Sequence, residues 1–194
     1  MLFRSSATIG DHAAADWPAI DARMAAVGAC GVDYVKVGIA GGDSREMRAL
    51  LLPLAEAPWP VVPVFIADAG LDWAAVELAC RLPFPALMAD TQDKLAGSLF
   101  DCLPAADLGR FVTLVRGAGK LVGLAGALRH AHLPALVELA PDFAGFRSAL
   151  CAGSRSGELD PDRVRRLRQG LVAVALARSV EATPSALAHE LQTA

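Results

Sequence analysis

Lysine is scarce in this chain: three lysines stand against 15 arginines in 194 residues. Arginine is therefore the ordinary surface cation here. Positive charge is not in excess either, since the net charge is −3 and the pI is near 5.8, which leaves no basic footprint for nucleic acid. No apolar run reaches the roughly 18–20 residues needed to cross a bilayer. The opening Met1-Leu2-Phe3-Arg4-Ser5-Ser6 lacks the apolar core and cleavage pattern of a secretory signal. Cys30, Cys80, Cys102 and Cys151 are scattered and form no CxxC pair, which speaks against a disulfide scaffold and for reduced thiols of a cytoplasmic protein. No His/Cys/Asp cluster has metal-ligand spacing, and no Ser–His–Asp arrangement stands out. Neither a metal nor a cofactor is expected.

What the chain has in quantity is Ala, Leu and Val. It is 54% hydrophobic with 6% aromatics, a composition suited to helices stacked over a buried sheet in one domain spanning 1–194. Strand-like segments are predicted over 2–9, 33–39, 61–67, 85–89, 120–125 and 142–146. Helices are predicted over 14–29, from Asp43 to about 57, over 72–81, from Pro104 to the Gly117-Ala118-Gly119 stop, over 129–140, and from Asp160-Pro161 to about 177. Residues 179–194 are read as a short C-terminal helix or a frayed tail. Six strand–helix units of this kind imply a parallel sheet covered by helices.

Polar residues collect around the strand ends: Asp11, Lys36, Asp68, Asp90 with Thr91 and Lys94, and Arg147. The carboxyl edge of a parallel sheet is where sites are built. In a chain this poor in lysine, Lys36 and Lys94 suggest a need for an amine that can lose its proton. Such amines act as bases or form Schiff bases with carbonyl substrates; the plain alternative is a solvated surface lysine. Asp68 and Asp90 end neighbouring strands, with Lys36 one strand further, and the competing reading is that they cap the following helices. Gly126-Ala127 and Arg147-Ser148 form small-residue turns directly after strands, where backbone N–H groups can approach a phosphate, or where the chain simply turns. Gly117-Ala118-Gly119-Lys120 lacks phosphate-loop spacing and reads as a helix stop, with Lys120 at the opposite end of the sheet. His130 and His132 point to nearly opposite sides of a helix.

Five motifs occur in order: Ser6-Ala7-Thr8-Ile9-Gly10-Asp11; Asp33-Tyr34-Val35-Lys36-Val37-Gly38-Ile39; Met88-Ala89-Asp90-Thr91 with Lys94 and Leu99-Phe100-Asp101; Leu124-Ala125-Gly126; and Gly145-Phe146-Arg147. Together they resemble the (5-formylfuran-3-yl)methyl phosphate synthase family of methanofuran biosynthesis, found in methanogens and some methylotrophic bacteria. The resemblance implies an α/β fold of TIM-type (β/α) barrel. It implies a lyase that condenses two glyceraldehyde 3-phosphate molecules to a phosphorylated furan aldehyde, with loss of phosphate and water. One lysine forms a Schiff base and a second accepts a proton in that family. Lys36 matches the proton acceptor, Asp90 and Lys94 match further polar positions of the site, and the turns at Gly126 and Ser148 match the phosphate cradle.

The departures from the family pattern are specific. The Schiff-base lysine precedes the Ala-Thr-Ile-Gly-Asp motif, which here begins at Ala7. The resemblance therefore implies about six of eight strand–helix units and impaired activity. It also implies open sheet edges that another chain, a dimer partner or a rearranged closure would complete, and a homo-oligomer is expected. Ala127 and Ser148 stand where Ser and Gly are expected. The competing reading is a non-catalytic phosphate-ligand-binding or assembly subunit of the same fold. A third is another sugar-phosphate isomerase or aldolase on the same scaffold. In each case the partner is a small sugar phosphate, without nucleic acid or membrane.

Overall fold

The computed structural model describes residues 4–40, 44–93, 97–152 and 157–181. Its contacts gather into two compact units, 1–128 with 141–146, and 129–140 with 147–194.

The first unit is built on six parallel strands: β1 (Ser6–Thr8), β2 (Tyr34–Ile39), β3 (Val61–Ile66), β4 (Ala86–Asp90), β5 (Leu121–Leu124) and β6 (Phe143–Ala144). They pair in chain order. The alternation along β2 assigns the two faces. Val35, Val37 and Ile39 are buried beneath the helices, while Tyr34, Lys36 and Gly38 are half-buried on the opposite, inner face. The inner face continues through Val62, Val64, Ala86, Met88 and Ala125, which form one apolar cluster with Tyr34, Ile66 and Leu121 packed against it. Space there is tight at Gly123, where a Cβ would lie 2.1 Å from the Phe143 ring.

Five helices belong to this unit. In α1 (Trp17–Gly28) the Asp16 carboxylate accepts the Ala19 N–H, Pro18 lies in the first turn, and Ile20 and Met24 are buried. In α2 (Ser44–Glu56) Leu50, Leu51 and Leu54 turn inward; Asp43 and the Gly41-Gly42 turn lie outside the described residues. In α3 (Trp73–Arg81) Asp72 accepts from Ala74 and Ala75. The short α4 (Leu99–Cys102) begins at Ser98, whose N–H and hydroxyl both donate to the Asp101 carboxylate. In α5 (Ala105–Gly117) Leu108, Phe111, Val112 and Val115 make the apolar stripe of a helix lying on a sheet. Phe111 meets Phe65 of β3 edge to face, with ring centroids 6.3 Å apart.

In the second unit a 3₁₀ turn (His130–His132) leads into α6 (Leu133–Leu139), which ends at Ala140 in the left-handed region. Asp160 accepts from the Asp162 and Arg163 N–H groups and so caps α7 (Pro161–Glu181). The two helices meet closely, since a Cβ on Gly170 would lie 2.8 Å from Leu133 Cδ1.

Four expectations change in detail. The helix predicted over 129–140 opens as the 3₁₀ turn, because Pro134 favours a helix start just after it. The strand predicted over 142–146 pairs only at Phe143 and Ala144. α4 was not anticipated, since four residues carry too little periodicity. Finally, α7 runs to Glu181 rather than stopping near 177; the tail beyond it lies outside the described residues. Lys120 closes the amino end of the sheet as expected, its ammonium donating to the carbonyls of Leu82 at 2.5 Å and Phe84 at 3.0 Å. Among the described residues no helix is long and apolar enough to cross a membrane.

Asp33 ties β1 to β2. Its carboxylate accepts the Ser5 N–H at 2.6 Å and the Ser5 hydroxyl at 2.9 Å. The Ser5 backbone N–H, chiefly, holds its carboxyl below the ordinary value of 3.8. A carboxyl lowered by folding stabilises above its unfolded value, and that contribution is lost as pH falls through the folded one. Acidification below about pH 4 is therefore expected to lower the amide protection factors of β1, taken against the intrinsic exchange rate at each pH, ahead of those of β3. Asp33→Asn should reproduce that loosening at neutral pH, and an equal loss of protection in the two strands on acidification would rule out this tie.

Candidate functional site

Three strand ends converge at the carboxyl edge of the first unit. Ile66 at the end of β3 stands beside Asp90 at the end of β4, and the Ala67 N–H donates to the Asp90 carbonyl at 2.9 Å. Asp90 turns its carboxylate onto the next residue, accepting the Thr91 N–H at 2.7 Å. Thr91 is buried and faces the turn after β5. There Gly126 has φ +107°, and a Cβ on it would come within 2.9 Å of Thr91 Oγ1 and 3.0 Å of Thr91 N. Glycine is required on both counts. The Gly126 carbonyl is held from the other side by the Leu99 N–H of α4 at 2.9 Å. Ala127 follows with φ 44°, so two successive residues hold the left-handed conformation.

Asp68 joins this cluster, though not in the way local sequence suggests. It does not cap α3, a task that falls to Asp72. Its two carboxylate oxygens instead accept the N–H groups of Gln92 at 2.7 Å and Asp93 at 2.8 Å. Nothing near Asp68 in sequence signals partners 24 and 25 residues away.

Lys36 lies elsewhere, and the expectation that it marks the carboxyl edge is corrected. It is the third residue of the six in β2 and stands in one row with Thr8 and Val62. By the same ladder that row continues through Ala86 and Leu121. Asp90, on the same inner face, is four residues further along β4, or roughly 13 Å along the strand direction and two strand spacings across. Lys36 borders a cavity of about 470 Å³ that Ser6, Tyr34, Val62, Asp142 and Phe143 also line. Because both β1 and β6 border this one cavity, the sheet curls. Among the described residues those two strands are nevertheless each paired on one side alone.

Sequence reasoning missed the cavity's other polar residues. Arg4 donates to the Tyr34 hydroxyl at 2.5 Å, and Asp142 accepts the Val122 N–H at 2.8 Å. Both lie near the amino ends of strands, where no turn motif marks them.

The remaining candidates separate. Asp11 is exposed just after β1. Lys94 lies outside the described residues. Arg147 and Ser148 are exposed in the second unit, where the Arg147 carbonyl accepts from Leu150 at 2.9 Å and Cys151 at 3.2 Å. The two expected phosphate turns thus fall in different units. Among the described residues no group of His, Cys, Asp or Glu could hold a metal ion.

A curled parallel sheet with helices on its outer face and polar groups gathered past its carboxyl ends is the architecture of TIM-like α/β proteins. The solved structure of phosphoribosyl anthranilate isomerase from Thermus thermophilus shares this fold with a TM-score of 0.52, over 79% of this chain and 68% of that one, at 16% identity. At the level of sequence, residues 2–168 match the model of the 4-HFC-P synthase family, and the chain belongs to that family. It is similar to the (5-formylfuran-3-yl)methyl phosphate synthase of Methanopyrus kandleri, with 36% identity over 86% of this chain and 76% of that protein. Similarity to the enzyme of the same name from Archaeoglobus fulgidus is 31% over 86% of this chain and 75% of that protein.

The wedge of Thr91 against Gly126 is open to a direct check. Gly126→Ala adds a methyl group to a strained, crowded turn and is expected to cost about 1–3 kcal/mol, read as a lower urea midpoint. An unchanged midpoint would contradict the close approach.

Proposed function

We propose that the protein is a lyase condensing two molecules of glyceraldehyde 3-phosphate to (5-formylfuran-3-yl)methyl phosphate, a step of methanofuran biosynthesis carried out in the cytoplasm. Atom balance requires the two C3 aldehyde phosphates to lose one phosphate and two waters on the way to the C6 furan. The family match over residues 2–168 carries this reading, because it takes in every strand of the sheet.

In this reading Lys36 is the general base. It is a half-buried amine on the wall of a cavity, where a substrate could reach it. Asp90, at the carboxyl edge, and Lys94 position substrate and balance charge. The turn at Gly126-Ala127 receives phosphate through backbone N–H groups. The six strands then correspond to six of the eight of a full barrel. No lysine here matches the family's Schiff-base amine by motif, so residues 1–194 alone should turn over slowly. The singly paired strands β1 and β6 favour a second reading, a non-catalytic phosphate-ligand-binding or assembly subunit whose sheet another copy of the chain completes.

Incubation with glyceraldehyde 3-phosphate, with mass spectrometry for the furan, separates the two. Lys36→Ala is expected to lower the rate of furan formation by about 10²–10⁴-fold. A chain that makes no furan but forms a stable homo-oligomer would favour the subunit. An unaltered rate in Lys36→Ala would remove the base assignment.

A further inference from the structure

We propose that Asp68 is a positioning residue for the reaction: it clamps the loop after β4 and thereby sets the direction in which Asp90 and the residues following it face substrate. This rests on the reading of that loop as part of the active site.

Three hydrogen bonds carry the inference. The Ala67 N–H donates to the Asp90 carbonyl at 2.9 Å. The Gln92 and Asp93 N–H groups then donate to the two oxygens of Asp68 at 2.7 and 2.8 Å. The end of β3 therefore grips the chain at Asp90, the last residue of the ladder, and beyond it at Gln92 and Asp93. Between these grips Thr91 is wedged against Gly126. The described part of the loop is thus held on one flank by a carboxylate and on the other by a glycine turn.

The local backbone is shaped for this task. The Gly70 N–H donates to the Ala67 carbonyl at 3.0 Å, with Gly70 at φ +90°. That tight turn delivers Asp68 sideways toward β4 before the chain proceeds to the Asp72 cap of α3. The choice of carboxylate also has a reason. Two adjacent N–H groups need two acceptor oxygens; asparagine offers one oxygen and places a donor where the second acceptor should be. Bonds to an ionised carboxylate are also the stronger kind. Each oxygen of Asp68 is engaged by a backbone donor, the arrangement of a residue that acts through the loop it holds.

Asp68→Asn, with Asp68→Glu as the variant that keeps two acceptor oxygens, tests the clamp through two independent readouts. Amide exchange at Gln92 or Asp93 should quicken roughly tenfold in Asp68→Asn while β3 and β4 keep their protection. The kcat for furan formation should fall about 10–100-fold, with the shape of the pH–rate profile retained and part of the rate recovered in Asp68→Glu. Unchanged exchange overturns the clamp. Faster exchange with an unchanged kcat, or loss of one limb of the pH profile, overturns the positioning role. Exchange is measured without turnover, so a wild-type chain that forms no furan overturns the proposed reaction, and with it the role in that reaction, while leaving the clamp itself to be judged by exchange.

Discussion

Six parallel strands hold Lys36 two inward-facing rows below Asp90 because the ladder between them tolerates a single register. In β2 the residues Val35, Val37 and Ile39 are buried against helices, and Tyr34, Lys36 and Gly38 face inward. A slip of one residue would bring three apolar side chains to the inner face and press a lysine into the helix layer. The register is thus set by burial of apolar side chains, and the polar residues inherit their positions from it. The separation of Lys36 from Asp90 follows from that constraint.

Beyond the ladder, order at the carboxyl edge depends on contacts between strand ends rather than within them. Asp68 holds Gln92 and Asp93, Leu99 holds the Gly126 carbonyl, and Gly126 makes room for Thr91. The edge is consequently rigid in the middle of the sheet, at β3, β4 and β5. At the flanks, β1 and β6 are short, paired on one side among the described residues, and carry mostly exposed side chains. A sheet with a braced centre and open flanks can hold a site at its centre while leaving its edges available for further strands.

Much of the fold was legible in the sequence because its signals are local. The apolar runs at 61–67 and 85–89 become the two central strands, and the Leu108, Phe111, Val112, Val115 spacing becomes the buried stripe of α5. The Asp160 cap was legible too, binding the N–H groups of its own helix start, whereas the cap of α3 fell to Asp72 and not to Asp68. The site was legible only in part. Lys36 was expected at a strand end although it is the middle residue of the strand predicted over 33–39, and the pairing with Thr8 and Val62 fixes its row. Asp68 carried two local readings, helix cap or site edge, and its true partners are 24 and 25 residues away. Strand 142–146 was overestimated because pairing at a sheet edge has a neighbour on one side only.

By itself, then, the sequence determined which segments are strands and helices, the family to which the chain belongs, and the presence of a few amines and carboxylates in a lysine-poor protein. These depend on periodicity, capping chemistry and motif order, all of which are written along the chain. Tertiary structure alone decided that Asp68, Asp90, Thr91 and Gly126 meet at one edge, and that Lys36 faces a cavity lower on the same sheet. The physical reason is that a strand's alternation states which residues share a face but not how far its neighbours are shifted beside it. That shift is set by burying the outer face against helices, a free energy no single segment contains.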